Sequence, residues 1–115
     1  MHRYIDVNPE IAEALALNRP VVALESTLIT HGLPYPVNID TAADMARNIR
    51  DVGAVPAIIA ILEGRIRIGL STDDLAAMMA SGRPILKVSR RDLAFALSMG
   101  MDGGTTVAAT MICAN

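Results

Sequence analysis

The spacing of hydrophobic and polar residues along the chain predicts five helices. The clearest covers residues 39–52, where apolar side chains recur at helical spacing and Gly53 follows at the position of a left-handed C-cap. The four other predicted helices cover residues 8–18, 71–82, 89–100 and 107–115. The first three of these begin at a capping Asn or Ser, which favours a helix start.

Short apolar runs between these helices predict four strands. Residues 21–26 and 55–62 are almost continuously apolar, which is typical of strands buried on both faces, and residues 84–88 form a third short strand. Residues 65–70 alternate between polar and apolar, which predicts a half-exposed hairpin partner for 55–62. Pro and Gly make residues 30–36 a loop. From residue 21 onward the order is βαββαβαα, which predicts an α/β fold with a layered sheet.

The strands at 21–26 and 55–62 flank a helix, so we expect them to pair in parallel by a right-handed crossover. The helix at residues 107–115 is apolar nearly all round and has no stop signal. A helix of this kind needs neighbours on every face, and a short chain offers a limited core. We therefore expect the chain to end inside an element and to expose apolar surface there.

Composition excludes several classes of protein. Of 115 residues 52% are hydrophobic and 19% charged, which excludes intrinsic disorder. Three per cent aromatic residues and a net charge of -2 argue against nucleic-acid binding. The single cysteine, Cys113, cannot form an internal disulfide or a zinc cluster. The N-terminus lacks a signal-peptide core and no apolar run spans a membrane, which predicts a cytoplasmic protein.

Glu25 is the first candidate for chemistry. It ends an apolar strand, and ligands bind at strand ends in open α/β sheets. A carboxyl group that loses water there could stay protonated and act as a general acid. The structural alternative, which the pattern alone favours, is a carboxylate paired with Ser26, Thr27 or a backbone amide.

Two basic side chains are further candidates. His31 follows the Glu25 strand in a stiff loop. It is a candidate for a proton carrier or a hydrogen-bond donor to substrate. The structural alternative is a residue that satisfies backbone carbonyls of the loop. No second histidine or spaced carboxylate set accompanies it, so it is not assigned as a metal ligand. Lys87 lies in an apolar strand and is a candidate for a Schiff-base lysine or for a phosphate or sugar contact. The structural alternative is a solvated side chain on an edge strand.

Two segments resemble anion sites. Residues 89–92 (SRRD) offer amides, a hydroxyl and two guanidinium groups at a helix start, or else a capping box with Asp92 at its third position. Gly103 and Gly104 precede the last helix, where free amides suit phosphate or sugar hydroxyls, although tight packing explains the glycines equally well. Neither segment has the spacing of a P-loop or a dinucleotide fingerprint.

Taken together, four ordered segments resemble the pseudouridine-5'-phosphate glycosidases and the indigoidine synthase A-like proteins that share their pattern. The resemblance runs from about residue 9 to the end of the chain and covers the N-terminal part, well under half, of a family member. The matching segments are residues 21–36 (VVALESTLITHGLPYP), 53–57 (GAVPA), 87–93 (KVSRRDL) and 104–111 (GTTVAATM).

The resemblance implies reversible cleavage of the carbon–carbon glycosidic bond of pseudouridine 5'-phosphate to uracil and ribose 5-phosphate. In that family a lysine attacks the sugar C1', the ribose ring opens, a glutamate moves protons and a divalent metal, typically manganese, organises the site. Glu25 matches the family's proton donor, Lys87 a substrate-contacting lysine and Val107 a residue that contacts substrate through its backbone. The family also implies a homotrimer and an α/β/α sheet.

The family's covalent lysine and metal-binding aspartate match no residue of this chain. We therefore interpret residues 1–115 as the N-terminal part of one α/β glycosidase domain, and we expect the chain alone to be inactive. Its partner would be a missing C-terminal segment or further copies of itself. Two other functions remain open: a non-enzymatic fragment that oligomerises, and a small phosphate-binding module.

Overall fold

The computed structural model describes residues 3–115, which form one mixed β-sheet with helices on both faces. The strands are β1 (Ile5–Val7), β2 (Val21–Leu24), β3 (Val55–Leu62), β4 (Arg65–Ile68), β5 (Ile85–Val88) and β6 (Asp102–Thr105). The helices are α1 (Pro9–Ala16), α2 (Val37–Asp51), α3 (Thr72–Ala80), α4 (Leu93–Ser98) and α5 (Val107–Ala114). A π-helical turn (Leu28–Gly32) and a 3₁₀ turn (Arg90–Asp92) precede α2 and α4.

The eight-residue strand β3 organises the sheet, whose strand order is β1-β4-β3-β6-β5 with β2 added beside β3. One edge of β3 pairs with β4 in an antiparallel hairpin. Its other edge is shared, because residues 55–58 pair in parallel with β2 and residues 60–61 pair antiparallel with β6. The strands β2 and β6 therefore run toward each other, and their carboxyl ends meet beside Ile58 and Ile59.

Alternation along β3 divides the core between the two faces of the sheet. Ile58 and Ala60 pack with residues of α2 and α3, whereas Ile59 and Ile61 pack with residues of α4 and α5. Side chains of a strand alternate between faces with period two, so an almost continuously apolar strand fills both cores at once. The expected α/β/α layering and the parallel pairing of β2 with β3 are confirmed.

The structure differs from the expected elements in four respects. β1 was not predicted, because its three residues are too short to show a period. Residues 102–105, for which no element was predicted, form the buried strand β6, since two glycines hide the strand signal. Residues 28–32 form a π-helical turn that overlaps the start of the loop predicted over residues 30–36. In addition, Val22 is 41% exposed, so β2 is not buried on both faces as predicted.

Helix α5 exposes apolar side chains, as its sequence predicts. The exposed side chains of this helix include Val107, Met111 and Ile112, at 63%, 67% and 43%. Ala109 and Thr110 are buried against the sheet, so one face of α5 is packed and the opposite face is open. In residues 3–115 no helix combines the length and the apolar character needed to cross a bilayer.

Asp102 anchors the amino end of β6 to the β3–β4 hairpin. Its fully buried carboxylate accepts a hydrogen bond from the Glu63 amide N–H at 2.8 Å and one from Arg83 Nε at 3.0 Å. A buried carboxylate of this kind needs paired donors to offset its lost hydration. This role of Asp102 is not visible in the sequence, because the three residues are far apart along the chain.

Candidate active site

Buried hydroxyl groups join the carboxyl ends of β2 and β6. Ser26 Oγ and Thr105 Oγ1 both donate to the carbonyl oxygen of Ile59, at 2.6 and 2.7 Å. The Thr105 amide N–H donates to Ser26 Oγ at 2.8 Å, and the Ser26 amide N–H donates to the Thr105 carbonyl at 3.1 Å. Both side chains are fully buried. Satisfied polar groups in a dry core hold the two strand ends in one fixed arrangement.

The same network fixes helix α5. Thr105 Oγ1 uses its hydrogen on Ile59, so the 2.8 Å contact with Thr110 Oγ1 is a hydrogen bond that Thr110 donates. The N-cap of the helix is Thr106, whose hydroxyl accepts from the Ala109 amide at 3.4 Å. The amides of Val107 and Ala108, in the first turn, have no carbonyl acceptor within the helix.

Glu25 lies at this junction, directly after β2, and is half-buried. Its Oε2 accepts the Thr27 amide N–H at 2.9 Å, and its Oε1 accepts the Leu28 amide N–H at 3.4 Å. The structural alternative for Glu25, a carboxylate paired with backbone amides, is therefore confirmed. Because its contact is longer, Oε1 is less strongly hydrogen-bonded than Oε2.

A groove of about 280 Å³ brings Glu25 and Val107 together. Its walls come from β2, α2 and α5, and they are apolar except for Glu25 and Thr110. An apolar groove with a few convergent polar groups is typical of a small-molecule site. The lining residues are Ala23, Leu24, Glu25, Met45, Val107, Thr110, Met111 and Ala114.

Lys87 lies on the edge strand β5 and is exposed, which confirms the solvated interpretation of this side chain. It is in register with Gly104 of β6, so it shares the carboxyl-end side of the sheet with Thr105 and Thr106. It does not line the groove that holds Glu25 and Val107. The structure therefore groups two of the three predicted residues in one groove and places Lys87 outside it.

His31 makes two hydrogen-bond contacts within the fold. Its Nε2 lies 2.8 Å from the carbonyl oxygen of Ile85, which only accepts, so Nε2 carries the hydrogen and donates. Its Nδ1 lies 2.7 Å from Thr30 Oγ1. The histidine thus ties the π-helical turn to β5 and satisfies a backbone carbonyl, as its structural alternative predicts.

Gly103 and Gly104 do not form an anion-binding loop. They are paired to β3 and β5 inside a fully buried strand, so the structure favours the packing interpretation over the phosphate-binding one. Close packing explains both residues. A Cβ on Gly104 would lie 2.0 Å from Thr30 Oγ1, and one on Gly103 would lie 2.4 Å from a Val88 methyl group.

Residues 89–92 form the expected capping arrangement. Asp92 Oδ2 accepts from Ser89 Oγ at 2.6 Å and from the Ser89 amide N–H at 3.0 Å. These two hydrogen bonds, the hydroxyl first and the amide second, lower the pKa of Asp92. The carboxylate already occupies the amide and the hydroxyl that an anion would use, so the structure favours the capping interpretation.

Ser89→Ala is expected to raise the pKa of Asp92 part of the way back to its usual range, because one of two donors is lost. A depressed carboxyl pKa stabilises the fold above the unfolded-state value, and this contribution disappears as the pH falls through the folded value. The variant should therefore be less stable than the parent at about pH 6 and equally stable at about pH 2. An NMR titration of the Asp92 carboxyl carbon measures the pKa, and denaturation at both pH values measures the stability.

The control for this prediction is Ser98→Ala, in the neighbouring α4. An unchanged Asp92 pKa in Ser89→Ala would contradict the prediction.

Metal binding finds no support within the described part of the chain. Residues 3–115 contain no group of three His, Cys, Asp or Glu side chains that could hold a metal ion. Cys113 is a free thiol, and burial raises its pKa, which disfavours the thiolate that binds metals.

The structure is an α/β protein with a mixed sheet covered on both faces and a groove where two strand ends meet, the position at which α/β proteins commonly bind ligands. The chain belongs to the indigoidine synthase A like protein family, whose model matches residues 10–115.

Relatives and solved structures agree with this assignment. The chain is 50% identical over 115 residues to a pseudouridine-5'-phosphate glycosidase of Clostridium botulinum and 56% identical over 115 residues to one of Rhodospirillum centenum. The crystal structure of the prealnumycin C-glycosynthase AlnA in complex with ribulose 5-phosphate matches 99% of the chain with a TM-score of 0.84 and 40% identity. An indigoidine synthase A-like protein from Thermotoga maritima matches 97% with a TM-score of 0.79 and 34% identity.

These proteins are much longer than the chain. The two glycosidases are covered over 38% and 35% of their length, and both solved structures over 36%. The chain therefore spans little more than a third of its relatives.

Proposed function

We propose that this chain supplies part of the active site of an enzyme that reversibly cleaves the carbon–carbon glycosidic bond of pseudouridine 5'-phosphate to uracil and ribose 5-phosphate. The observation that carries the proposal is the shared groove of Glu25 and Val107, the two residues that match a proton donor and a backbone contact. Relatives that are 50% and 56% identical to the chain carry the name of this activity.

The chemistry of the bond explains why a carboxyl group is needed. When the bond between C1' and uracil C5 breaks, its electron pair goes to C5, which is a poor carbanion and must gain a proton as it leaves. Glu25 is proposed to donate that proton from Oε1, because Oε2 is held more closely by the Thr27 amide. The apolar walls of the groove disfavour water near the carboxyl group.

The nucleophile is proposed to be a lysine in the part of the relatives that this chain does not match. Its amine is proposed to form a bond to C1' as the bond from C1' to the ring oxygen breaks, so that the ribose ring opens. The nitrogen lone pair then forms a double bond to C1' as the bond to C5 breaks and C5 gains its proton, and water releases ribose 5-phosphate and the free lysine. Lys87 is proposed as an anchor for the anionic sugar phosphate, since it is exposed on the carboxyl-end side of the sheet. The Val107 amide at the start of α5 is proposed as a second donor to substrate.

The remaining parts of the proposal come from the resemblance. It implies manganese, whose metal-binding aspartate matches no residue of this chain, and residues 3–115 contain no group of three side chains that could hold the ion. A homotrimer and a cytoplasmic location complete the proposal. The exposed apolar face of α5 is consistent with contacts to other polypeptide.

The experiment measures uracil release from pseudouridine 5'-phosphate with manganese, by the chain alone and by the chain mixed with the unmatched part of the Rhodospirillum centenum enzyme. We expect release only in the mixture. Release by the chain alone would support the activity, contradict the placement of the nucleophile and direct attention to Lys87. No release from folded, soluble protein in either case would overturn the proposal and favour an oligomerising fragment or a phosphate-binding module.

A further inference from the structure

The outer edge of β2 presents unpaired backbone groups. The Pro20 carbonyl accepts from the Val55 amide at 2.9 Å, and the parallel register pairs Val21 with Val55. Because backbone groups alternate in direction along a strand, the amides of Val22 and Leu24 point to β3. Those of Val21 and Ala23 therefore point away from β3, along an edge that pairs with no other strand in residues 3–115.

This edge lacks the features that normally protect an exposed strand. Edge strands of soluble proteins usually carry charges, prolines or bulges that prevent pairing with another chain. The residues of β2 are Val, Val, Ala and Leu, in regular register with β3 over all four positions. The edge is therefore suited to accept a further strand.

Apolar surface continues from this edge onto one face of the sheet. A groove of about 420 Å³ lies between α1, the sheet and the C-terminal end of α5. No charged side chain lines it, and Asn115 is its single polar residue. Its lining residues are Ile5, Val7, Ile11, Leu15, Val21, Ala23, Ala57, Ile59, Ile68, Cys113, Ala114 and Asn115.

Helix α5 connects this groove to the candidate active site. Its first residue, Val107, lies beside Glu25 at the carboxyl end of β2, and its C-terminal end lies in the groove with Val21, at the amino end of β2. The helix therefore runs antiparallel to β2. A strand that enters at the groove and follows the open edge would run parallel to β2 and end beside Glu25.

We propose that the β2 edge and the α5 groove form a docking surface for the polypeptide that makes up the unmatched part of the full-length relatives, and that this polypeptide adds a strand parallel to β2. The occupant is inferred from length, because 99% of this chain superposes on only 36% of a solved relative. Most of the polypeptide of that relative therefore lies outside the matched region and needs a surface on which to pack. The added strand delivers its carboxyl end to the Glu25 groove, where ligands bind in α/β sheets.

This inference rests on family membership and not on the proposed activity, so its test uses no substrate. The chain is co-expressed with the unmatched part of the Rhodospirillum centenum enzyme, and the mass of the product is measured by light scattering. Amide hydrogen exchange is then compared between the chain alone and the complex. We expect an equimolar complex in which the amides of Val21 and Ala23 become protected, whereas those of Val22 and Leu24 are protected in both states.

Two matched variants test the groove side of the surface. Leu15→Glu places a charge on an exposed leucine, at 59%, that lines the α5 groove, and should weaken the complex at least about tenfold. Leu17→Glu changes an equally exposed leucine, at 55%, that does not line the groove, and should weaken it less than about twofold. Circular dichroism of both variants reports whether each still folds.

Three results would overturn the proposal. The first is the absence of a complex between folded partners. The second is a complex in which exchange at Val21 and Ala23 is unchanged, or in which Leu15→Glu and Leu17→Glu weaken binding equally. The third is a homodimer of the chain alone that protects the same two amides, which would assign the edge to a second copy.

Discussion

Glu25→Gln is expected to lower uracil release by the reconstituted enzyme by about 10²–10⁴-fold, the usual contribution of a positioned general acid. The glutamine carbonyl oxygen can still accept the Thr27 amide, so the start of the π-helical turn is preserved. The amide cannot give up a proton to uracil C5, so kcat should fall while KM changes little. Chromatographic measurement of uracil against substrate concentration separates the two constants.

The control for this prediction is Glu13→Gln, an exposed glutamate of α1 on a different part of the surface. It removes the same charge and should leave the rate within about twofold of the parent. Equal rates for Glu25→Gln and the parent would assign Glu25 to the structural role that its amide contacts already show, and the proton donor would have to be sought elsewhere.

Gly104→Ala is expected to destabilise the fold by about 3 kcal/mol, at the upper end of what overpacking a core costs. The added Cβ would lie 2.0 Å from Thr30 Oγ1 and 3.1 Å from Thr30 Cβ. Thr30 cannot simply move away, because its hydroxyl donates to the Ser26 carbonyl and contacts His31. Urea denaturation measures the free energy of unfolding.

The cause is tested by a double-mutant cycle with Thr30→Ala, which removes the two side-chain atoms that extend from Thr30 Cβ. Part of the loss, at least about 1 kcal/mol, should be recovered in the double variant. Gly32→Ala is the matched control, since its Cβ would lie 3.2 Å from the flexible end of Leu28 and at least 3.8 Å from its other neighbours, and it should cost less than about 1 kcal/mol. Equal losses at Gly32 and Gly104 would refute the close-packing explanation.

The candidate site was only partly predictable from the sequence. Glu25 stands out because a charged residue ends an apolar strand, and this local contrast can be read from the sequence alone. The network of Ser26, Thr105 and Thr110 gave no such signal, since serine and threonine are common in turns and their partner is a carbonyl oxygen on β3. Lys87 looked buried in an apolar strand, and only its place at the sheet edge shows that it is exposed.

By itself the sequence determined the elements with a clear period: α2, the β3–β4 hairpin, the capped helices and the layered α/β class. These follow from local patterning and propensity, which act over a few residues. Tertiary structure alone decided that a Gly-Gly segment is a buried strand, because that outcome depends on Thr30 and Val88 approaching its backbone. It also decided that β2 and β6 meet end to end on one edge of β3, since strand pairing depends on long-range contacts that no local pattern encodes.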